Sequence, residues 1–295
     1  VNAPFGHVLT AMITPFDGGG AVDHRRAYEL ARHLAETGSD GIVVAGTTGE
    51  SPTLSDDEKI ALFTTVKEAV GDGTHVVAGT GTYDTAHSIH LSEAAVAAGA
   101  DGVMAVTPYY SRPSQEGLVA HFTAIADASE VPVLLYNIPG RTARRIEVST
   151  LATLARHERI VAVKDAVGLT GFTTDSRVAI SADDLAIYSG DDINTLPMMA
   201  CGAVGIVSVA SHLAGRQIAR MVHAALSGDW DEAGRLHLAL APLARSVFLE
   251  PNPMPVKAAL SAMWKPVGDP RLPLVTATDA TLAAIKEALA VAQAA

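Results

Sequence analysis

Cysteine is almost absent from this chain: Cys201 is the single one among 295 residues. One thiol can form neither an internal disulfide nor a thiolate metal cage, so the fold must rest on packing and suits a reducing compartment. Cys201 lies in the apolar stretch 198–202 and reads as a small buried hydrophobe. Basic residues are also scarce, 21 against 32 acidic ones, for a formal net charge of -11. That surplus repels phosphate backbones and anionic lipid surfaces, which argues against nucleic acid and membrane as partners. It says little about a small anionic ligand, because one arginine or helix N-terminus can set the local field. No apolar run approaches the roughly 18 residues of a spanning helix. Residues 1–7 show neither a basic n-region nor an apolar h-region, and a soluble, cytoplasmic protein is expected. Metal spacing is missing too. His87 and His90 stand three apart without the acidic partner of an HExxH helix, so no metal is expected.

Apolar residues are plentiful, at 48% of the chain, which excludes global disorder. Eight short apolar runs, at 8–13, 41–45, 75–79, 102–106, 132–136, 160–163, 186–189 and 205–209, read as strands. They are apolar on both faces, as parallel strands covered by helices should be. Amphipathic helix patterns separate them. In residues 55–70, Ile60, Leu62, Phe63 and Val66 recur at helical spacing, and Ser55 with Glu58 makes a capping box. A weak repeat recurs at Gly38, Gly99 and Gly202, where a glycine stops a helix and a strand begins three residues later. Eight βα units predict a closed (β/α)₈ TIM barrel over residues 1–228, and the helix-only pattern of 229–295 predicts a C-terminal helical appendage. An open dinucleotide-binding sheet is the rival, but Gly79-Thr80-Gly81 lacks the third glycine and follows the third strand rather than the first.

In such barrels the chemistry sits at the C-terminal ends of the strands. Strand six ends in Val163-Lys164-Asp165. A lysine there can simply snorkel to water, and Tyr136, ending strand five, can be core. The pair is more specific than either member. Lys164 and Tyr136 are one βα unit apart and end adjacent strands, about 5 Å from each other. A neutral amine beside a phenol in a water-poor pocket suits carbonyl condensation through an imine. Moving a lysine pKa from about 10.4 to near 7 is within the reach of burial alone. After strand two, Gly46-Thr47-Thr48-Gly49-Glu50-Ser51 permits a tight turn whose threonines offer hydroxyl and backbone donors to an anion. Its bland reading is a capped glycine turn, and it is no Walker loop. Strand four runs into Thr107-Pro108-Tyr109-Tyr110, two aromatics on a loop. Arg141, after strand five, can grip a carboxylate bidentately or lie solvated. Ser189-Gly190-Asp191-Asp192 can present paired carboxylates, or more plainly a helix cap with a first-turn acid. Nothing in the appendage looks catalytic.

Taken together, the segments 46–51, 107–110, 136–142, 163–165, 189–192 and 250–257 resemble, in order and spacing, the dihydrodipicolinate synthase family. The resemblance spans essentially the whole chain. It implies that Lys164 forms a Schiff base with pyruvate and that Tyr136 passes protons, in a relay with Thr47 and Tyr110. It further implies that Thr48 and the backbone around Ile206 hold the pyruvate carboxylate and methyl side, with Gly190 lining the same pocket. Arg141 would bind the carboxylate of L-aspartate 4-semialdehyde, the second substrate. Tyr109 would sit in a tight dimer interface and Tyr110 would reach the adjacent subunit's relay, within a homotetramer built of two such dimers. No cofactor is implied. The nearest alternative with the same lysine chemistry is an N-acetylneuraminate lyase or a 2-keto-3-deoxy sugar acid aldolase. Thr47, Thr48 and Arg141 favour the first reading, because a sugar acid needs hydroxyl-binding groups instead.

One departure has a consequence for regulation. Lysine-sensitive members of the resembled family carry His, His, Asn and Glu where this chain has Asp56, Lys59, Tyr83 and His87. The carboxylate that would accept the ligand's α-amine is gone, and Lys59 adds a like charge. L-Lysine at 1 mM should therefore leave more than half of the initial condensation rate in a steady-state assay. Half-inhibition below about 1 mM, an ordinary small-ligand affinity, would contradict this.

Overall fold

The computed structural model describes residues 3–168 and 170–295. Its strands are β1 (Val8–Ala11), β2 (Gly41–Val44), β3 (His75–Gly79), β4 (Gly102–Val106), β5 (Val133–Asn137), β6 (Ile160–Asp165), β7 (Ala186–Ser189) and β8 (Gly205–Ser208). All pair in parallel and close into a barrel in the order β1 to β8, with β8 returning to β1. Around it run α1 (His24–Glu36), α2 (Asp56–Val70), α3 (Thr85–Ala97), α4 (Gln115–Ala128), α5 (Pro139–Thr142), α6 (Val148–Leu154), α7 (Thr170–Ala179), α8 (Thr195–Ala200) and α9 (Ser211–Leu226). Then follow α10 (Trp230–Ser246), α11 (Met254–Met263) and α12 (Asp279–Gln293).

The expected strands differ from the observed ones only at their ends. Strand six runs two residues further than the apolar pattern, because Lys164 and Asp165 still pair with Tyr188 and Ser189 of β7. The three repeat glycines, Gly38, Gly99 and Gly202, adopt φ of +110°, +87° and +96°. L side chains rarely take that conformation, so these positions end a helix and turn the chain into the next strand. The capping box of α2 is present: Ser55 Oγ accepts from Glu58 N, and the Glu58 carboxylate accepts from Ser55 N at 2.9 Å. Cys201 corrects the reading of a buried hydrophobe. It is half-buried, because it caps α8 where the chain emerges to turn through Gly202.

Strand alternation builds two apolar layers. Leu9, Val43, Val77, Leu134, Ala162 and Val207 belong to an inner cluster, while Val8, Ile42, Val76, Val133 and Val163 pack outward against the helices. Tyr188 fills much of the interior. Its hydroxyl donates to Gly6 O at 2.8 Å and accepts from Phe5 N at 3.3 Å, so the segment preceding β1 stoppers the lower end of the barrel. Gly228, at φ +85°, turns α9 into α10, and α10 packs on α9 and α12. No described helix is long and apolar enough to cross a membrane.

His212, in the first turn of α9, is locked as a neutral ring. Val209 O can only accept, so Nδ1 carries the hydrogen at 2.9 Å, and Nε2 accepts from Ile13 N at 3.1 Å. Burial drives its pKa down to about 4. An unfolded histidine takes its proton near 6.5, so the stability this ring contributes is complete above that pH and is lost as pH falls towards 4. At full loss this amounts to about 3 kcal/mol. His212→Gln keeps an acceptor for Ile13 N without titrating. Its melting temperature should fall less between pH 7 and pH 5 than the wild type's. Equal acid sensitivity in calorimetry would show that the folded ring already carries the proton.

Candidate active site

Register brings the two central side chains together. Tyr136 of β5 stands opposite Lys164 of β6, and the period of two points both inward with Leu134 and Ala162. The Lys164 Nζ lies 4.2 Å from the centroid of the Tyr136 ring. Thr107 fixes that tyrosine's backbone, donating from both N and Oγ1 to Tyr136 O at 3.0 Å. Asp165, the next residue along, faces the helical layer, where its carboxylate accepts from Val167 N and Thr173 Oγ1. The sheet thus separates it from the amine beside it in sequence.

Burial pulls the Lys164 amine down to about 8. The Asp192 carboxylate works against that fall, and the Arg141 guanidinium adds to it. Burial likewise pushes the Tyr136 phenol up to about 12, opposed by Arg141 and by a hydrogen bond with Thr47. At neutral pH the phenol is therefore protonated and the amine is partly free, the protonation states that addition to a carbonyl requires.

A cavity of about 230 Å³ opens at the C-terminal ends of the strands, lined among others by Thr47, Tyr109, Tyr136, Ile138, Arg141 and Thr142. Asn137 exchanges two hydrogen bonds with the Ile146 backbone, at 3.0 and 3.1 Å, and so pins the loop that carries Arg141. Of the other expected residues, Thr48, Lys164, Gly190 and Ile206 do not form its lining. Thr48 is buried. Gly190 abuts the lysine, since a Cβ there would lie 3.1 Å from Lys164 Cγ and 2.9 Å from Ala166 Cβ. The Ile206 side chain belongs to the outer layer, so only its backbone can face the barrel mouth. Tyr110 is not brought to Thr47 and Tyr136 within one chain. It is 96% exposed at φ +67°, directed away from the barrel that bears it.

The acidic pair after β7 divides its labour. Asp191 accepts from Asn194 Nδ2 at 2.6 Å within the turn, a local contact but not the side-chain helix cap read from sequence. Asp192 is the first-turn acid of that reading and reaches further. It is buried and accepts from Ser208 Oγ, Val209 N and Ala210 N, a position that makes it the first opposing charge on Lys164. The adjacent acids were the only signal in the sequence. Three further residues lie in the resembling segments 46–51 and 250–257 but had no role assigned to them. Glu50 and Lys257 form an ion pair at 2.8 Å with both side chains 1% exposed, and Asn252 Nδ2 donates to Thr48 Oγ1 at 2.8 Å. The helical appendage thus does touch the site, through contacts spanning more than 200 residues that no local pattern could reveal.

Of the four positions that depart from the lysine-sensitive pattern, three lie together and the fourth lies against the loop after β4. His87 Nε2 lies 2.8 Å from Asp56 Oδ2, the Lys59 amine 3.8 Å from Asp56 Oδ1, and Tyr83 packs edge-on against Tyr109 with ring centroids 5.3 Å apart. Among the described residues, no group of three or more His, Cys, Asp or Glu side chains is placed to hold a metal ion.

Residues 4–292 match the Dihydrodipicolinate synthetase family. A 4-hydroxy-tetrahydrodipicolinate synthase from Synechococcus is 54% identical over 288 residues, covering 97% of this chain and 95% of the relative. One from Heliobacterium modesticaldum is 52% identical over 283 residues, covering 96% and 94%. Among solved structures, dihydrodipicolinate synthase from Bacillus anthracis superposes with a TM-score of 0.94 at 44% identity, over 98% of this chain and 99% of that one. The enzyme from Cyanidioschyzon merolae with lysine bound gives 0.95 at 44% identity, over 98% of each chain. With the closed barrel, the register of Lys164 with Tyr136 and this coverage in hand, the chain belongs to the dihydrodipicolinate synthetase family.

Proposed function

We propose that Lys164 carries the reaction as a Schiff base with pyruvate, and that Tyr136, Thr47 and Arg141 serve it in distinct roles. The enzyme condenses pyruvate with L-aspartate 4-semialdehyde to give 4-hydroxy-tetrahydrodipicolinate, in the synthesis of diaminopimelate and lysine. The observation that carries the residue assignment is the buried amine, pulled down to about 8, beside a phenol that stays protonated.

The free Lys164 amine adds to the keto carbon of pyruvate. Tyr136 delivers a proton to the resulting hydroxyl, which leaves as water and gives the iminium. Loss of a methyl proton forms the enamine, whose carbon attacks the aldehyde of the semialdehyde. The amine of that substrate then attacks the imine carbon, closing the ring and releasing Lys164. Thr47, bonded to Tyr136, relays protons, and Tyr110 completes the relay from an adjacent copy, which its outward direction supports. The Thr48 hydroxyl and the backbone near Ile206 hold the keto-acid carboxylate and methyl side, and Gly190 leaves room for the lysine stem. Among the described residues, no protein acceptor bonds the N–H groups of Thr47 or Thr48, so both are available to an anion. Arg141, on the cavity wall, grips the carboxylate of the semialdehyde. The assembly is a homotetramer of two tight dimers, and no cofactor takes part.

Borohydride reduction in the presence of pyruvate should leave a pyruvyl adduct on the Lys164 peptide by mass spectrometry. At limiting pyruvate its initial rate should rise with pH to a midpoint near 8, as the amine loses its proton. A folded protein that gives no adduct would remove the imine mechanism. Arg141→Ala should lower kcat/KM for the semialdehyde by at least about 100-fold, the scale of a lost charged pair in a closed site, while pyruvate trapping stays within about threefold. Equal losses in both would contradict the role given to Arg141.

A further inference from the structure

The Thr47–Thr48 loop is held almost residue by residue by groups outside it. Gly49 O accepts from Thr14 Oγ1 at 2.7 Å. The Glu50 carboxylate accepts from Lys257 Nζ and from Arg271 N, both at 2.8 Å, and Glu50 itself is at φ +58°. A bulky residue in that conformation persists only when its surroundings impose it. Lys257 has no freedom either, since its amine also donates to Thr14 O at 3.1 Å and Asp269 O at 3.2 Å. The loop is therefore clamped from the C-terminal region, and Thr48 sits inside the clamp.

We propose that Asn252 is a positioning residue for the keto-acid subsite: it donates to Thr48 Oγ1 and thereby directs the single hydroxyl hydrogen of Thr48 at the substrate carboxylate. A threonine hydroxyl has one hydrogen to give and two lone pairs to receive. With one lone pair occupied by Asn252 Nδ2, and no other described partner bonded to Thr48 Oγ1, the hydrogen is left for a ligand. The donated bond also polarises the hydroxyl, which strengthens what it gives. Asn252 is buried, and its Oδ1 has no protein partner. The amide is therefore held for its donor end, since a residue serving only the fold would be expected to pair both. Lys257 and Glu50 keep this arrangement in register by fixing the backbone one turn away. The inference rests on the proposed placement of the keto-acid carboxylate at Thr48.

The test follows borohydride trapping against pyruvate concentration in the full-length enzyme, with Asn252→Ala, Asn252→Asp, Thr48→Val and the double variant N252A/T48V. N252A should raise the pyruvate concentration for half-maximal trapping roughly tenfold, the worth of one hydrogen bond to a charged group, with the plateau unchanged. N252D keeps the volume but must accept where Asn252 donates, turning the Thr48 hydrogen away, and should raise it at least as far. In the T48V background, N252A should add no further loss. Half-saturation within twofold of wild type in either folded Asn252 variant would overturn the proposal, as would losses that multiply in the double variant. Failure of both Asn252 variants to fold would make the residue a fold determinant and overturn it equally. A wild type that gives no adduct would instead refute the imine reading on which this rests.

Discussion

Withdrawal of water from one amine is the constraint to which the rest of the molecule answers. Bringing Lys164 from its ordinary value of 10.5 to about 8 corresponds to about 3 kcal/mol against the charged form. The barrel provides this by surrounding the lysine with the aromatic face of Tyr136, the backbone of Gly190 and the inner apolar layer. Desolvation alone would also penalise any cation later formed on the same nitrogen. Asp192 moderates that penalty. It is itself buried, which pushes its pKa up, and three donors, from Ser208 at the end of β8 and from Val209 and Ala210 after it, work against that rise. The site is thus tuned by two opposed effects rather than pushed to one extreme.

Much of this was legible along the chain because parallel strands buried on both faces write themselves as unbroken apolar runs. Each run ends where the sheet meets the barrel mouth, so the residue closing a run is also the residue exposed to chemistry. That rule singled out Lys164 and Tyr136 as candidates, and their spacing of one βα unit anticipated the register that pairs them. The helix stops at Gly38, Gly99 and Gly202 were readable for a backbone reason, the φ that only glycine adopts without strain. Arg141 and Thr47 stood out as candidates because loops after strands converge on one end of a barrel, and both do line the cavity there.

What the chain does not spell out lies where distant segments meet. Asn252 and Lys257 reach Thr48 and Glu50 across more than 200 residues, and no periodicity or local motif encodes a contact of that range. Asp192 was passed over for a different reason. An acid in a first turn has an adequate local explanation, and Asp192 occupies that place as well as its buried one. Tyr110 shows the limit of a single chain, since the ring is exposed and meets neither Thr47 nor Tyr136 in the barrel that bears it.

The stopper at the base of the barrel bears on traffic through the molecule. Phe5 and Tyr188, both buried, close the lower end, while the cavity opens at the other end among the loops that carry Thr47, Tyr109 and Arg141. Entry and exit therefore share one rim, and a change in any of those loops acts on arrival and departure alike.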